Sequence, residues 1–259
     1  MTDIRSSVLG ISLSLLLAPS VFAIDIHSTA EAVNIAGKQR MYTQRMLKDY
    51  AMIGMGNTFG NPADDLKDTI KAFDNHLHAL QAYTKDAAIK KRLDTVATAW
   101  KPLKRKLKQT PDIHAAKTIQ GDLENLLKLS NEVTGMLADA SGKQADEIVN
   151  IAGRQRMLSQ RMASLYMLKV WGIDDPHFKE NLDKSLQLFK TSLNTLEKAP
   201  MNDQTIKTLL AKVKRSFMFF EIMNRSTSKF IPSLIYKKSD DMLKNMDRVT
   251  HRYVELESK

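Results

Sequence analysis

Apolar side chains recur at intervals of three and four residues along most of the chain after residue 23. This spacing predicts amphipathic helices with one buried face. No alternating run of polar and apolar residues is long enough to predict a strand, so we expect an all-α protein. The clearest positions lie in two segments 116 residues apart: Leu66, Ile70, Phe73, Leu77 and Leu80, then Leu182, Leu186, Phe189, Leu193 and Leu196.

Eight helices account for this pattern, four in each half of the chain. Asn61-Pro62 and Asp175-Pro176 each place a capping side chain before a proline at the first helical position. Short connections favour antiparallel neighbours, so the expected fold is two tandem up-down four-helix bundles. The expected helices cover residues 27–57, 62–83, 86–108 and 111–140, then 143–172, 176–198, 203–230 and 233–257.

The first helix of each half has nearly the same sequence. Residues 33–56 and 149–172 are identical at 13 of 24 positions, and the shared residues include asparagine, glutamine and two arginines. Packing alone does not demand these polar residues. Self-similarity at a fixed spacing indicates one structural unit used twice. The natural break between the two copies is Ser141-Gly142, where the sequence leaves open whether the chain turns or continues as one long helix.

The first 23 residues have the features of a secretory signal peptide. Arg5 supplies a positive charge, residues 8–17 form a short apolar core, and residues 21–23 offer a small-x-small cleavage site. No later segment is apolar enough to span a bilayer. We therefore expect an exported, periplasmic protein that is soluble after cleavage. The predicted divisions are a signal peptide at 1–23 and two four-helix repeats at 24–141 and 142–259.

Composition narrows the possible functions. The absence of cysteine excludes disulfides, thiolate metal sites and cysteine nucleophiles. A net charge of +10 favours nucleic acid as a partner in a cytosolic protein, but export argues against nucleic acid and favours small anions or the anionic envelope surface. His76 and His78 are two residues apart and face different directions on a helix, and the other histidines are isolated. We expect surface histidines, no metal site, no cofactor and no catalytic activity.

The two motif arginines of each repeat point in different directions. Arg40 and Arg45 are five residues apart, so their side chains diverge by about 140° on a helix. Arg40 shares a stripe of small residues with Gly37 and Gln44, and a glycine there allows another backbone to approach closely. The equivalent residues of the second repeat are Gly153, Arg156 and Gln160.

An arginine at such a helix–helix contact needs a partner, because an unpaired buried charge is costly. One interpretation pairs Arg40 and Arg156 with a carboxylate or with helix C-terminal carbonyls. The other holds each guanidinium for an external anion, whose flat oxygens match its planar fork. If the repeats pack through this stripe, the two arginines clamp one anion between them. The residues assigned to support on the other face are Asn34, Arg45, Asn150 and Arg161.

The string Asn-x-Ala-Gly-x-Gln-Arg-Met-x-Ser/Thr-Gln-Arg-Met occurs at residues 34–46 and 150–162. It resembles the PilJ-type domain, the N-terminal sensory domain of type IV pili methyl-accepting chemotaxis transducers. That family is similar to the NarX-like input domain of nitrate/nitrite sensor kinases. The resemblance implies a four-helix bundle outside the cytoplasmic membrane, with nitrate or nitrite bound by the first motif arginine between two copies of the first helix.

Carried over by position, that arginine is Arg40 in the first repeat and Arg156 in the second. The flanking residues that would shape the site are Gly37, Gln44, Gly153 and Gln160. The sequence lacks the kinase or methyl-accepting module of a receptor, so a membrane receptor or kinase would have to read its state. We therefore expect a nitrate- or nitrite-binding sensory protein. The alternative is a structural or adaptor bundle in the cell envelope, with the repeated arginines as internal ion pairs.

Overall fold

The computed structural model describes residues 24–142, 144–225 and 231–257, which form eight α-helices and no strand. The predicted all-α fold is therefore confirmed, while the predicted signal peptide lies outside the described residues. The helices are α1 (Thr29–Gly54), α2 (Pro62–Tyr83), α3 (Ala87–Leu107), α4 (Ile113–Ser141), α5 (Gln144–Trp171), α6 (Phe178–Glu197), α7 (Gln204–Arg225) and α8 (Pro232–Glu257).

All eight predicted helices are present, and their described ends lie within three residues of expectation apart from that of α7, whose expected end at residue 230 is not described. The two predicted caps behave differently from expectation. Asn61 adopts a φ of 56° and makes no side-chain cap bond to α2. Helix α6 begins after His177, and Asp175 accepts a hydrogen bond from the His177 backbone N–H at 2.9 Å in the turn before it.

The chain turns between α4 and α5. Gly142 adopts a left-handed φ of 62° and caps α4, a conformation that glycine reaches without steric cost. Glu124 of α4 pairs with Arg161 of α5 at 2.6 Å, and Asn131 of α4 lines the same groove as Arg154 of α5. A later position on α4 therefore lies beside an earlier position on α5. The two helices are therefore antiparallel neighbours, which resolves the question that the sequence left open.

Helices α1 and α5 have the most extensive contact between any two helices described. They run parallel, because their contacts advance in the same direction along both chains. Gly37 lies against Gly153, and further along Gln44 accepts a hydrogen bond from Ser164 at 3.1 Å. Helices α4 and α8 flank this pair, so the two copies of the repeated helix lie at the centre of the molecule.

Each repeat has a similar apolar core beside the central pair. Phe73 packs on Trp100 at a ring separation of 4.4 Å, and the corresponding pair in the second repeat, Phe189 and Phe217, lies 4.5 Å apart. No helix among the described residues is long and apolar enough to cross a bilayer. The division of the chain into two domains stays a prediction, because α1 and α5 join the two repeats in one shared contact.

Candidate functional site at the crossing of α1 and α5

The two repeated helices cross at their glycines, and we call this contact the crossing. A β-carbon built on Gly37 would lie 3.7 Å from the Cα of Gly153 and 3.3 Å from the Nη2 atoms of both Arg40 and Arg156. A β-carbon on Gly153 would meet the same two guanidinium groups at 3.1 and 3.3 Å. The small-residue stripe therefore brings both first motif arginines together, as the sequence suggested for repeats packed through this face.

Each of these arginines reaches across to the opposite repeat. Arg40 donates from Nη2 to the backbone carbonyl of Asn150 at 3.1 Å, and Arg156 donates from Nη2 to the carbonyl of Asn34, also at 3.1 Å. Both side chains are completely buried. The two halves of the crossing are thus related by an internal two-fold similarity in which each guanidinium fixes the partner helix.

The similarity ends at the second nitrogen of each guanidinium. Arg40 donates from Nη1 to the amide Oδ1 of Asn131 at 3.0 Å, whereas Arg156 donates from Nη1 to the carboxylate of Asp247 at 2.6 Å. Positions 131 and 247 are themselves equivalent, since they are 116 residues apart. Arg156 therefore has an internal counterion, and Arg40 has a neutral amide in its place.

The absence of a carboxylate beside Arg40 changes its electrostatics. Burial lowers the pKa of Arg40 to about 9, and the positive charges of Arg154 and Arg156 act in the same direction. Arg40 remains a cation at neutral pH. Its buried Nε atom has no hydrogen-bond partner among the described residues, and the same is true of the Nε atom of Arg156. An acceptor with a negative charge would relieve both the charge repulsion and the unmet donor.

The positive charge of Arg156 is neutralised by a carboxylate of the same chain, that of Asp247. Burial acts to raise the pKa of Asp247, but Arg156 and Lys38 hold it below its ordinary value. The Nζ atom of Lys38 lies 3.7 Å from the carboxylate. Asp247 is therefore ionised at neutral pH and occupies the position at which an anion would contact Arg156. Of the two interpretations of the first motif arginines, pairing with an internal carboxylate describes Arg156.

The motif glutamines are buried beside the crossing but bind other groups. Gln44 donates to Glu124 at 3.1 Å, and Gln160 donates to the backbone carbonyl of Ser239 at 3.2 Å. Neither glutamine forms a hydrogen bond with Arg40 or Arg156 in the part of the chain that the structure describes. Direct ligand contact by these glutamines stays a prediction, and their observed role is to connect α1 and α5 to α4 and α8.

The support role assigned to Asn34, Arg45, Asn150 and Arg161 stays a prediction. Arg45 donates to Asp65 at 2.8 Å, and Arg161 donates to Glu124 at 2.6 Å, so both second motif arginines are paired with carboxylates. Asn34 and Asn150 contribute their backbone carbonyls to the crossing, as described above. Their side-chain Oδ1 atoms are buried without a hydrogen-bond partner among the described residues.

Sequence reasoning missed the residues that distinguish the two halves. Asn131 and Asp247 are each 91 residues from the arginine that they contact. Lys38 and Arg154 are another pair of equivalent positions, where the side chain differs but the positive charge is the same. Extending the offset of 116 residues into the last helix of each repeat would have aligned Asn131 with Asp247 and revealed the exchange of a carboxylate for an amide.

A buried ionic cluster between α1 and α8 was also missed. Lys48 is completely buried, with its Nζ atom 2.7 Å from Asp240 and 3.7 Å from the ring centroid of Tyr236. The neighbouring Asp49 is equally buried, and burial raises its pKa well above the ordinary value. The second repeat has Ser164 at the position equivalent to Lys48, so this cluster is another departure from the internal symmetry.

The prediction that all histidines lie on the surface is wrong for His76. Its ring is buried and packs against Tyr42 at a centroid distance of 5.2 Å. Burial, together with the charges of Lys38 and Arg156, lowers the pKa of His76 to about 4, so the ring is neutral. Among the described residues, no group of three or more histidine, aspartate or glutamate side chains is arranged to hold a metal ion.

The PilJ family, described as the N-terminal domain of type IV pili methyl-accepting chemotaxis transducers, matches residues 26–126 and 139–217. These segments make up more than half of the chain. The chain belongs to the PilJ family. Each matched segment contains one copy of the motif helix, so the PilJ assignment covers both sides of the crossing. Comparison with curated proteins and with solved structures gives no match.

Proposed function

We propose that this PilJ chain is an exported sensory domain that binds a small oxyanion, nitrate or nitrite, at the crossing and reports its state to a membrane receptor or kinase. One observation carries the proposal: Arg40 is a fully buried guanidinium without a carboxylate partner among the described residues. Such a charge is costly to maintain unless something outside the chain compensates it.

The hydrogen-bonding state of Arg40 favours a planar anion. Arginine has only donors, and a guanidinium can present two parallel N–H groups to two oxygens of a flat ligand. The Nε donor of Arg40 is unmet, and its Nη2 atom converges with that of Arg156 on the glycine contact. An oxyanion placed there gains charge-assisted hydrogen bonds and separates two like charges.

The crossing also favours a small ligand. The closest approaches around Gly37 and Gly153 are only 3.1–3.7 Å for an added β-carbon. Nitrate and nitrite need little space and carry a single charge, while sulfate and phosphate carry more charge and are tetrahedral. We therefore propose discrimination against the larger tetrahedral anions, because their desolvation at a buried site is more costly.

A ligand at the contact of two parallel central helices is well placed to change their relative position. Packed helix interfaces shift between discrete arrangements, and a bound anion favours the arrangement to which it binds more tightly. In the proposed mechanism, α1 and α5 are the moving pair and the membrane partner recognises the change. In this proposal, the two copies of the first helix that the resemblance implies come from the two repeats of one chain.

The second candidate is a structural or adaptor bundle without a small ligand. Three of the four motif arginines support it, because Arg156, Arg45 and Arg161 are paired with carboxylates. Only Arg40 lacks such a partner among the described residues. The two candidates therefore differ in what they require of Arg40, and an experiment on this residue separates them.

Thermal unfolding in the presence of nitrate, nitrite, sulfate or phosphate tests the proposal. A ligand at a hundred times its dissociation constant should stabilise the fold by about 2.7 kcal/mol. Arg40→Lys keeps the charge but removes the planar fork, and we expect it to abolish the nitrate or nitrite shift while the protein remains folded. Arg105→Lys, on the exposed end of α3, is the control and should respond as the parent does.

Two outcomes would decide for the adaptor. One is the absence of any shift with nitrate or nitrite at concentrations that leave the protein soluble. The other is a shift of equal size in the parent and in Arg40→Lys, because a general salt effect needs no guanidinium fork. Circular dichroism of Arg40→Lys establishes that the variant retains its helices, so a lost shift cannot be attributed to unfolding.

A further inference from the structure

A groove of about 430 Å³ lies between α4, α5 and α6, on one side of the crossing. Its volume falls in the range of small-molecule sites. The charged residues that line it are Glu124, Lys128, Arg154, Arg161 and Lys184, four cations and one carboxylate. The groove is therefore a cationic cleft, and the state of each charge decides what it can bind.

Two of these cations are uncommitted. Glu124 is occupied by Arg161, with both carboxylate oxygens within 2.7 Å of Nη1. Lys184 contacts Glu180 on the exposed face of α6. Arg154 and Lys128, in contrast, have neither a hydrogen bond nor an ion pair within residues 24–142, 144–225 and 231–257. The groove thus presents a partly buried guanidinium and an exposed ammonium that no internal carboxylate neutralises.

Asn131 adds a donor to the same wall. Its Oδ1 atom accepts from Arg40, and since arginine can only donate, the orientation of the amide is fixed. The Nδ2 group is consequently left to donate, and it has no partner among the described residues. Asn131 lines the groove together with Arg154, so the polar side of the cleft offers N–H groups to an acceptor.

The remaining lining is apolar. Leu127, Met157, Leu158 and Leu188 contribute to it, and Leu188 is 41% exposed although it is a large hydrophobic residue. An apolar surface beside uncommitted donors suits a ligand with two parts, a negatively charged group and a hydrocarbon body. A bare inorganic ion would leave this surface in contact with water.

The equivalent positions of the other repeat have the opposite character. Asn131, Asn181 and Lys184 correspond, at the offset of 116 residues, to three aspartates. The corresponding residues are Asp247, Asp65 and Asp68. The cations at the positions of Lys128 and Arg154 are retained as lysines. The groove between α4, α5 and α6 is therefore cationic because these three carboxylates are absent from it. Part of the apolar lining differs as well, since Leu158 and Leu188 correspond to Tyr42 and Ala72.

We propose that this groove binds a small organic carboxylate with an aromatic or aliphatic body, as a second ligand of the chain. The carboxylate accepts hydrogen bonds from Arg154 and Asn131, and Lys128 adds its positive charge at the rim. The hydrocarbon body packs against the leucines and Met157. The site is separate from the one proposed for nitrate or nitrite, because Arg40 does not line the groove.

Titration calorimetry with naphthoate, and with the neutral naphthalenemethanol as its uncharged analogue, tests the proposal. We expect naphthoate to bind at one site per chain and the alcohol to bind at least about tenfold more weakly. Arg154→Gln and Lys128→Glu should each weaken naphthoate binding, Arg154→Gln by about tenfold. Lys244→Glu, at the equivalent of Lys128 in the other repeat, is the matched control and should leave binding unchanged.

Three results would overturn this assignment. Naphthoate and the alcohol could bind equally well, which would remove the role of the charge. Lys244→Glu could weaken binding as much as Lys128→Glu, which would indicate a general electrostatic effect. Binding could be lost in Arg40→Lys but retained in Arg154→Gln, which would place the carboxylate at the crossing. Lys128 is exposed, so its variant stays informative if Arg154→Gln fails to fold.

Discussion

Arg40 and Arg156 occupy equivalent positions in two copies of one helix, yet only Arg156 has a carboxylate partner among the described residues. The depth of burial and the hydrogen bond across the crossing are the same for both. The exchange of Asp247 for Asn131 separates a compensated cation from an uncompensated one. Duplication therefore preserved the scaffold of this site and allowed its charge to diverge.

The contacts that side chains make with the backbone have the same geometry in both repeats. Gln39 and Gln155 donate to the carbonyls of Phe73 and Phe189, and both distances are 2.9 Å. The motif glycines and the arginine–carbonyl bonds match equally well across the crossing. Contacts that fix helix register tolerate little change because the interior is closely packed. A side chain at the edge of the crossing, such as that of Asp247, is freer to differ.

The largest effect is expected where the two halves are alike. Gly37→Leu and Gly153→Leu each insert a side chain between α1 and α5, and the free energy of unfolding should fall by about 3 kcal/mol for either one. The two decreases should be equal, since the distances to an added β-carbon are nearly the same. Urea denaturation, followed by circular dichroism, measures both.

Gly121→Leu is the control for these substitutions, because no heavy atom lies within 4 Å of a β-carbon built at Gly121. It should leave the stability unchanged or raise it, as leucine is a better helix former than glycine. A marked inequality between the Gly37 and Gly153 variants would contradict the symmetry of the crossing. It would mean that one repeat adjusts to an added side chain and the other does not.

The next effect is expected where the halves differ. Asp247→Ala leaves the buried Arg156 without its counterion, and we expect a loss of about 2 kcal/mol in the free energy of unfolding. This lies below the 3–5 kcal/mol typical of a broken buried pair, because the Asp247 side chain is 36% exposed. Asn131→Ala removes only a neutral acceptor and should cost about 1 kcal/mol. Equal losses would show that the carboxylate is not what stabilises Arg156.

Exchanging the two side chains should move the uncompensated cation. Asn131→Asp supplies Arg40 with a carboxylate, so we expect it to raise the free energy of unfolding by about 1 kcal/mol and to abolish stabilisation by nitrate or nitrite. Adding Asp247→Asn to this variant should restore the response, now through Arg156. Thermal unfolding with and without the anion measures each step.

The double variant contains the same residue types as the parent, which makes it a strict control for net charge. If Asn131→Asp keeps the full response to the anion, then the charge balance at Arg40 does not govern binding. If the double variant responds no better than Asn131→Asp, the two halves differ in more than this pair. Either result would separate the symmetry of the scaffold from the symmetry of the proposed site.

Sequence periodicity predicted the helices well because each helix buries one face, and that face has to recur every three or four residues. The crossing could be predicted for the same reason, since Gly37 and Arg40 lie on one stripe. The turn at Gly142 could not be predicted, because a glycine at this position is compatible with a turn or with a continuing helix. In the structure Gly142 ends α4 with a left-handed φ of 62°.

The partners of the motif arginines depend on tertiary structure. No local pattern connects Arg156 to a residue 91 positions away, and periodicity does not distinguish asparagine from aspartate on a polar face. The buried Lys48 illustrates the same limit: a lysine in an amphipathic helix is ordinarily exposed, yet Asp240 and Tyr236 of another helix enclose it. The pattern of residue types along the chain does not show which charged residues pair across long sequence separations.

The last effect is expected at Asp49, beside Lys48, and it depends on pH. Burial raises the pKa of Asp49 well above the ordinary value, so folding favours its protonated form. A carboxyl of this kind contributes stability below its unfolded pKa of about 4, and that contribution is lost as the pH rises through its folded pKa.

Asp49→Asn resembles the protonated acid and cannot ionise. We therefore expect the variant to match the parent near about pH 4 and to be the more stable of the two near about pH 7. Urea denaturation at the two pH values measures this difference. Destabilisation at the higher pH would mean that Asp49 is ionised and shares Lys48 with Asp240. In that case the charges of the buried cluster between α1 and α8 balance one another.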